Sequence, residues 1–214
     1  MSADAGEASD PFPLLCTPTH HGLRRNVGVG LFFTADVPAD DRDAIEALVP
    51  PPLRHELVWS RDFCYAGTPD RFDTGYDAGD RAALSAAIDA WLHATHAAAA
   101  LAFVYLTDLP ELAAYPAWAS RSVARVPDLV LPWLQRHWSS GGPARAGAEQ
   151  HATTILDNLS YFLLALYADA TPDMTPALRA RLLHVADIIC ASDSGCGAEL
   201  WRDELVAKLG GRVG

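Results

Sequence analysis

The chain has 214 residues and a formal net charge of −11, from 27 acidic and 16 basic side chains. Its 50% hydrophobic content supplies enough apolar surface for one globular domain, or for two small and tightly packed ones. An acidic surface repels nucleic acid and anionic membranes. The composition therefore argues against both as partners, and it favours a basic protein or a cationic ligand.

The cysteines and the longest apolar run indicate the compartment. The four cysteines form no C-x-x-C pair, and the first residues are acidic and lack the apolar segment of a signal peptide. The longest apolar run, residues 97–106, is shorter than the roughly 20 residues that a membrane helix needs. We therefore expect a soluble cytoplasmic protein with reduced cysteines.

The N-terminal part of the chain predicts an arm followed by a sheet. Residues 1–22 hold several prolines and few apolar residues, which predicts a flexible arm ahead of a single compact domain over residues 23–214. The uncharged run NVGVGLFFT predicts a buried strand. Residues 38–49 predict a short helix that Asp36 or Asp40 could cap. The stretch HELVWSRDFCYAG predicts a second strand or a bent hairpin arm.

The middle of the chain alternates loops with helical patterns. An acidic loop over residues 70–80 precedes an alanine-rich helix, and Asp80 is placed to cap that helix. Residues 101–107 fit the end of that helix or a third strand, and periodicity does not decide between them. A short helix is expected from Pro127. Residues 139–147 (SSGGPARAG) form the clearest linker and the point at which the domain would be subdivided.

Beyond the linker the pattern is helical throughout. Apolar residues over 149–169 fall on one broad helix face, which predicts a central packed helix. Thr175 is placed as an N-cap with Pro176 at the first helical position, and a last helix is expected from about Ala198. With the strand–helix–strand start, the fold class is α+β, a small N-terminal sheet packed with a mostly helical C-terminal half.

One flank of the alanine-rich helix carries a potential metal site. Asp89, His93 and His96 lie on the same side at helical spacing, and a carboxylate with two imidazoles can hold one zinc or iron ion. The zinc-protease motif H-E-x-x-H is absent, because the sequence here is H-A-T-H. The pattern nevertheless favours an Asp89–His93 pair on a solvated helix face, with no cofactor, and the zinc or iron ion is the alternative.

A second potential site is a cysteine beside the last helix. Cys196 stands at or just before the first turn, where free backbone N–H groups and the helix dipole favour the thiolate. His184, one helix earlier, is a potential base. The alternative is a small residue in a tight turn between helices.

Acidic and aromatic residues supply potential binding sites. The aspartates of the acidic loop do not match the spacing of a calcium loop, so we expect them to act through charge. Tryptophans often anchor protein interfaces. The binding residues predicted on these grounds are Asp70, Asp73, Asp77, Asp80, Trp118 and Trp138, with Asp40, Asp41 and Asp43 as the next acidic group.

Two functional classes follow from these observations. We find no G-x-S-x-G, Walker, H-E-x-x-H, kinase or zinc-ribbon signature in the sequence. One class is an acidic cytosolic binding protein that neutralises a basic protein partner, as immunity proteins and antitoxins do, an analogy of charge and size alone. The alternative is a small bacterial enzyme that uses Cys196 with His184, or a metal ion at His93 and His96.

Overall fold

A computed structural model of the chain describes Phe12 and residues 14–17, 27–69, 78–107, 127–136, 175–191 and 206. The described strands are β1 (Leu14–Thr17), β2 (Gly28–Phe33), β3 (Glu56–Trp59), β4 (Phe63–Gly67) and β5 (Leu101–Thr107). The described helices are α1 (Ala39–Ala47), α2 (Ala78–Ala98), α3 (residues 127–136) and α4 (Pro176–Ala191). The fold is α+β, as the sequence predicted.

The strands form a five-stranded sheet in the order β1-β5-β2-β4-β3. Strand β2 is antiparallel to both β4 and β5, β3 is antiparallel to β4, and β1 is parallel to β5. From β2 to β5 the chain runs strand–helix–strand–strand–helix–strand, and each helical crossover passes over one intervening strand. This is the split βαβ topology of ferredoxin-like folds. Such a topology hosts many activities and indicates none of them.

The two stretches that the sequence left open are both resolved as strands. Residues 101–107 form β5, whose Phe103, Val104, Tyr105 and Leu106 are all buried. A strand covered on both faces has a continuous apolar run, which is why periodicity could not separate it from a helix. The stretch HELVWSRDFCYAG divides into β3 and β4, which form a hairpin.

One face of the sheet is covered by α1 and α2. Val29 and Leu31 of β2 belong to the same buried cluster as Ile45 of α1 and Ile88 of α2. Trp91 of α2 donates its indole N–H to the Ile45 carbonyl at 3.1 Å, which joins the two helices. The short helix α1 is therefore fixed both to the sheet and to α2.

The opposite face carries an aromatic cluster under α3. Phe32 of β2 stacks on Phe103 with ring centroids 4.1 Å apart, and Phe63 packs against it at 4.8 Å. Trp133 of α3 meets Phe32 edge-on at 5.1 Å. Because β2 is covered on both faces, all six of its residues are buried.

The described part of residues 1–22 departs from the predicted flexible arm. Phe12 is only 6% exposed and packs against the rings of His93 and His96, with centroids 5.7 and 5.5 Å away. Strand β1 pairs with β5, with Leu14 opposite Val104. The prediction rested on the small number of apolar residues in this segment. One buried phenylalanine and one short strand are nevertheless enough to dock its described part.

The helix ends test three predicted caps. The Oγ1 atom of Thr175 accepts a hydrogen bond from the Leu178 N–H at 3.2 Å, which confirms the predicted cap of α4. The expected cap of α1 is wrong, because Pro38 occupies the N-cap position and no side chain bonds there. Helix α2 already begins at Ala78, so Asp80 lies in its first turn and is not its cap.

A helix from Pro127 is confirmed as α3. The predicted helix over 149–169, the linker at 139–147 and the start of the last helix lie outside the described residues. Among the helices that the structure describes, none is both long and apolar enough to cross a membrane.

Candidate interaction surface

Helix α1 and the residues before it concentrate negative charge. Asp36, Asp40 and Asp43 are exposed, and Asp41 and Glu46 are half-buried. Within the described residues, these five carboxylates form no ion pair. Asp40 and Asp41 lie in the first turn, where the helix dipole favours negative charge. We call these five residues the α1 acidic surface.

The arginine within α1 bonds backbone carbonyls and forms no ion pair with the described acidic side chains. Arg42 donates through Nε to the Val37 carbonyl at 2.9 Å and through Nη2 to the Arg61 carbonyl at 3.3 Å. Its guanidinium also lies over the Trp59 ring, 5.7 Å from the centroid. This charge holds α1 to β3 and to the turn after β3.

A second arginine caps the other end of α1. Arg54 donates through Nε to the Val49 carbonyl at 3.0 Å and through Nη2 to the Ala47 carbonyl, also at 3.0 Å. Cations at a helix C-terminus are stabilising because the last carbonyls lack intrahelical partners. The guanidinium groups of Arg42 and Arg54 thus bond backbone oxygens, and among the described residues none pairs with the carboxylates of the α1 acidic surface.

Next to α1, strand β3 forms one edge of the sheet. The Ser60 N–H bonds the Phe63 carbonyl at 2.8 Å, and bonded pairs alternate along an antiparallel ladder. Glu56 and Val58 are therefore the residues that bond to β4. Leu57 and Trp59 direct their N–H and C=O groups away from the sheet, and no described strand pairs with them.

The turn of the β3–β4 hairpin is held from both sides of the sheet. The Arg61 carbonyl accepts the Val37 N–H at 2.8 Å, and the Asp62 carbonyl accepts the Phe33 N–H at 3.0 Å. The Asp62 carboxylate, whose side chain is 3% exposed, lies 2.9 Å from Nη2 of Arg136 on α3. A buried carboxylate needs such a partner.

Arg136 also binds the end of β2. It donates to the carbonyls of Phe33, at 2.8 Å, and Thr34. The same guanidinium therefore joins α3, β2 and the hairpin turn. The edge strand β3 is fixed in position even though its outer side has no described neighbour.

An apolar side chain lies at the end of the α1 acidic surface. Leu48, the residue after α1, is 54% exposed, which is unusual for a leucine of the described chain. The Trp59 indole Nε1 is enclosed and has no hydrogen-bond acceptor among the described residues. Leu48 is therefore the apolar side chain next to the α1 acidic surface that solvent reaches, whereas the Trp59 indole N–H is shielded.

The three predicted metal ligands lie in two different environments. His93 Nε2 lies 3.7 Å from Asp89 Oδ1, and both side chains are more than half exposed. His96 instead accepts the Leu101 N–H through Nδ1 at 3.2 Å, at the start of β5. The described residues contain no group of three or more His, Cys, Asp or Glu that could hold a metal ion. The zinc or iron site stays a prediction.

The predicted catalytic and binding residues fall mostly outside the described ranges. His184 is exposed on α4, and Asp80 is exposed in the first turn of α2. Neither is placed beside another predicted site residue by any described contact. The predicted residues that lie outside the described ranges are Cys196, Asp70, Asp73, Asp77, Trp118 and Trp138.

Cys64 of β4 is buried, and burial raises the pKa of its thiol well above the ordinary value. The negative charge of Glu46 acts in the same direction, and Arg42 acts against both. The reactive form of cysteine is the thiolate. Cys64 is therefore a neutral core residue and not a nucleophile.

An open cleft of about 850 Å³ lies beside α3. Apolar side chains form much of its described lining, and its cation, Arg136, is bonded to Asp62. The described lining lacks a nucleophile beside a base, which catalysis by covalent attack requires. The described lining residues are Thr34, Ala102, Leu129, Pro132, Trp133, Gln135 and Arg136.

No protein-family model, no curated protein and no solved structure matches this chain. Function therefore has to be inferred from the residues of the chain itself. Among the described residues, the α1 acidic surface and the adjoining edge of β3 combine unpaired charge with unpaired backbone. The sequence favoured the loop over residues 70–80 as the binding surface, because its aspartates are the densest. The sequence does not show that Arg42 and Arg54 bond carbonyls and therefore do not neutralise the carboxylates near α1.

Proposed function

We propose that the protein is a soluble cytoplasmic binding protein that captures a basic protein partner through the α1 acidic surface. The observation that carries the proposal is the set of five carboxylates within residues 36–46 that form no ion pair with any described residue. The net charge of −11 adds to the same field. Neutralisation of a basic toxin, as by an immunity protein or an antitoxin, fits this charge and size.

Charge of this kind acts mainly on the rate of association. A negative surface steers a basic partner into contact, and the on-rate then falls as salt screens the field. The off-rate depends on contacts made in the complex and changes less with salt. The exposed Leu48 supplies an apolar contact next to the charges.

Affinity capture from the native host, followed by binding kinetics at two salt concentrations, tests the proposal. Asp40→Asn with Asp43→Asn should lower the on-rate at low salt by about three- to tenfold, within the range that steering supplies, and leave the off-rate unchanged. Asp70→Asn with Asp73→Asn is the matched control, because it removes the same charge from the other candidate surface. We expect a smaller effect from this control.

A captured partner that is acidic, or an on-rate independent of salt, would contradict the proposal. Equal losses from the two double variants would place the binding elsewhere than α1. A stoichiometric metal ion or small molecule in the purified protein, without a protein partner, would favour the enzyme that uses Cys196 and His184 or the metal site at Asp89, His93 and His96.

A further inference from the structure

We infer that the basic partner contributes an extended segment that adds to the sheet as a new strand along the outer edge of β3. This inference rests on the proposed function and specifies where the partner binds and in what conformation. The occupant is a protein segment with lysine or arginine at alternate positions. The observations that carry it are the outward backbone groups of Leu57 and Trp59, with which no described strand pairs, the position of α1 beside that edge and the fixed hairpin.

The outer side of β3 has the groups that strand addition requires. Leu57 and Trp59 direct their N–H and C=O groups outward, as the ladder alternation from the Ser60–Phe63 bond shows. An edge with unpaired N–H and C=O groups is a template for another strand. Peptides that bind in this way gain affinity from the main chain and specificity from alternate side chains.

Helix α1 flanks this edge, with Glu46 of the α1 acidic surface on the side near β3. The Arg42 guanidinium lies over the Trp59 ring, so α1 crosses the same face of the sheet at β3. Glu46 and Arg42 are the two charges that act on Cys64, which is paired with Trp59 across the hairpin. Alternate side chains of an added strand would face α1, and these are the positions at which basic residues meet carboxylates.

The same charges argue against a second copy of this chain as the occupant. Two copies that paired through β3 would bring two α1 acidic surfaces together, and each chain has a net charge of −11. Like charges brought together oppose association. A basic segment removes the repulsion and adds attraction.

The hairpin is already in the conformation that a strand would bind. Its turn is bonded to the residues before α1 through the Arg61 carbonyl, to β2 through the Asp62 carbonyl, and to α3 through the Asp62 carboxylate. A binding element that is ordered beforehand loses little conformational entropy on association.

Amide hydrogen exchange tests the inference at single residues. In the free protein the amides of Leu57 and Trp59 should exchange fast, and the Val58 amide, which bonds to β4, should exchange slowly and serves as the internal control. The probe is a peptide of alternating lysine and threonine. At ten times its Kd, the peptide should slow exchange at Leu57 and Trp59 about tenfold and leave Val58 unchanged.

The control probe is the same peptide with every backbone nitrogen methylated, which keeps the charge and removes the N–H donors. Loss of binding with this probe supports strand addition. Equal binding of both peptides, with unchanged exchange at Leu57 and Trp59, overturns strand addition but leaves capture by the α1 acidic surface intact. Binding that persists in the Asp40→Asn, Asp43→Asn variant and at high salt overturns the charge-based capture itself.

The opposite result is slow exchange of the Leu57 and Trp59 amides in the free protein, at a rate that falls as the protein concentration rises. Such a result would show that a second copy pairs with this edge. That result would overturn the inference. Failure of the lysine–threonine peptide to bind at all would also overturn it, while the partner captured from the host would still test the proposed function.

Discussion

The two edges of the sheet are treated differently by the rest of the chain. At one edge the outermost strand is β1, which pairs with β5, and Phe12 next to it is buried against α2. At the other edge β3 is held through its hairpin turn, yet its outer backbone has no described partner. A strand can therefore be ordered while its outer backbone has no described partner. The β1 edge is held by strand pairing and by Phe12, whereas the open edge at β3 is held by its hairpin turn and lies beside α1.

The largest effect is expected from the ion pair that holds the open edge. Arg136→Leu leaves the buried Asp62 carboxylate without this partner and should destabilise the protein by about 3–4 kcal/mol, within the range for a broken buried pair. Urea denaturation measures the change. The double variant with Asp62→Asn should recover part of the loss, because the uncompensated charge is gone. Equal stability of the single variant and the parent would show that the pair does not fix the hairpin.

At the β1 edge, Phe12→Ala should destabilise the protein by about 3 kcal/mol, the lower end for a buried phenylalanine. The reason is the cavity it leaves beside His93 and His96. Thermal melting is the measurement, and an alanine at the exposed Leu48 is a control that should change little. A melt of Phe12→Ala like that of the parent would mean that residues 1–22 are a loosely held arm after all.

A smaller effect is expected from the thiol beneath α1. Burial raises the pKa of Cys64, so the unfolded chain loses this proton at lower pH than the native state does. Stability from this group is complete below the ordinary thiol pKa of about 8.5 and falls above it, by at most about 1.4 kcal/mol per pH unit. Denaturation at several pH values should show a steeper alkaline loss in the parent than in Cys64→Ala. Parallel pH profiles would contradict the assignment.

The smallest effect is expected from the α1 acidic surface. Asp40→Asn with Asp43→Asn should change stability by less than about 0.5 kcal/mol, because neither side chain is buried or paired. The same variant should slow capture of a basic partner. A large loss of melting temperature would show that Asp40 and Asp43 stabilise the fold, as Asp62 does, and would contradict this prediction.

The elements with local signals could be predicted from sequence. Thr175 and Pro176 specify the start of α4 through a side-chain cap and a fixed φ angle, and both effects act within one turn. The run NVGVGLFFT likewise predicts the burial of β2, because it contains no charged side chain that would have to stay in solvent. The α+β class follows from such local patterns.

The elements that depend on distant partners could not be predicted. Asp62 lies in a polar turn, where a charge is usually solvated, but it is buried beside Arg136, which arrives from α3. Arg42 and Arg54 bond carbonyls, which every residue possesses, so sequence gives no sign of their partners. The edge position of β3 is a property of the sheet order and is not visible in the residues of β3.

The pairing of β1 with β5 sets an order for folding. Leu14 and Val104 meet across some ninety intervening residues, and contacts between distant parts of a chain form slowly, because loop closure has to precede them. On the ribosome β1 is made first but stays without its neighbour until β5 has emerged. The unit from β2 to β5 can assemble without it. We therefore expect β1 and Phe12 to join last, and nascent chains to expose the flank of β5 until they do.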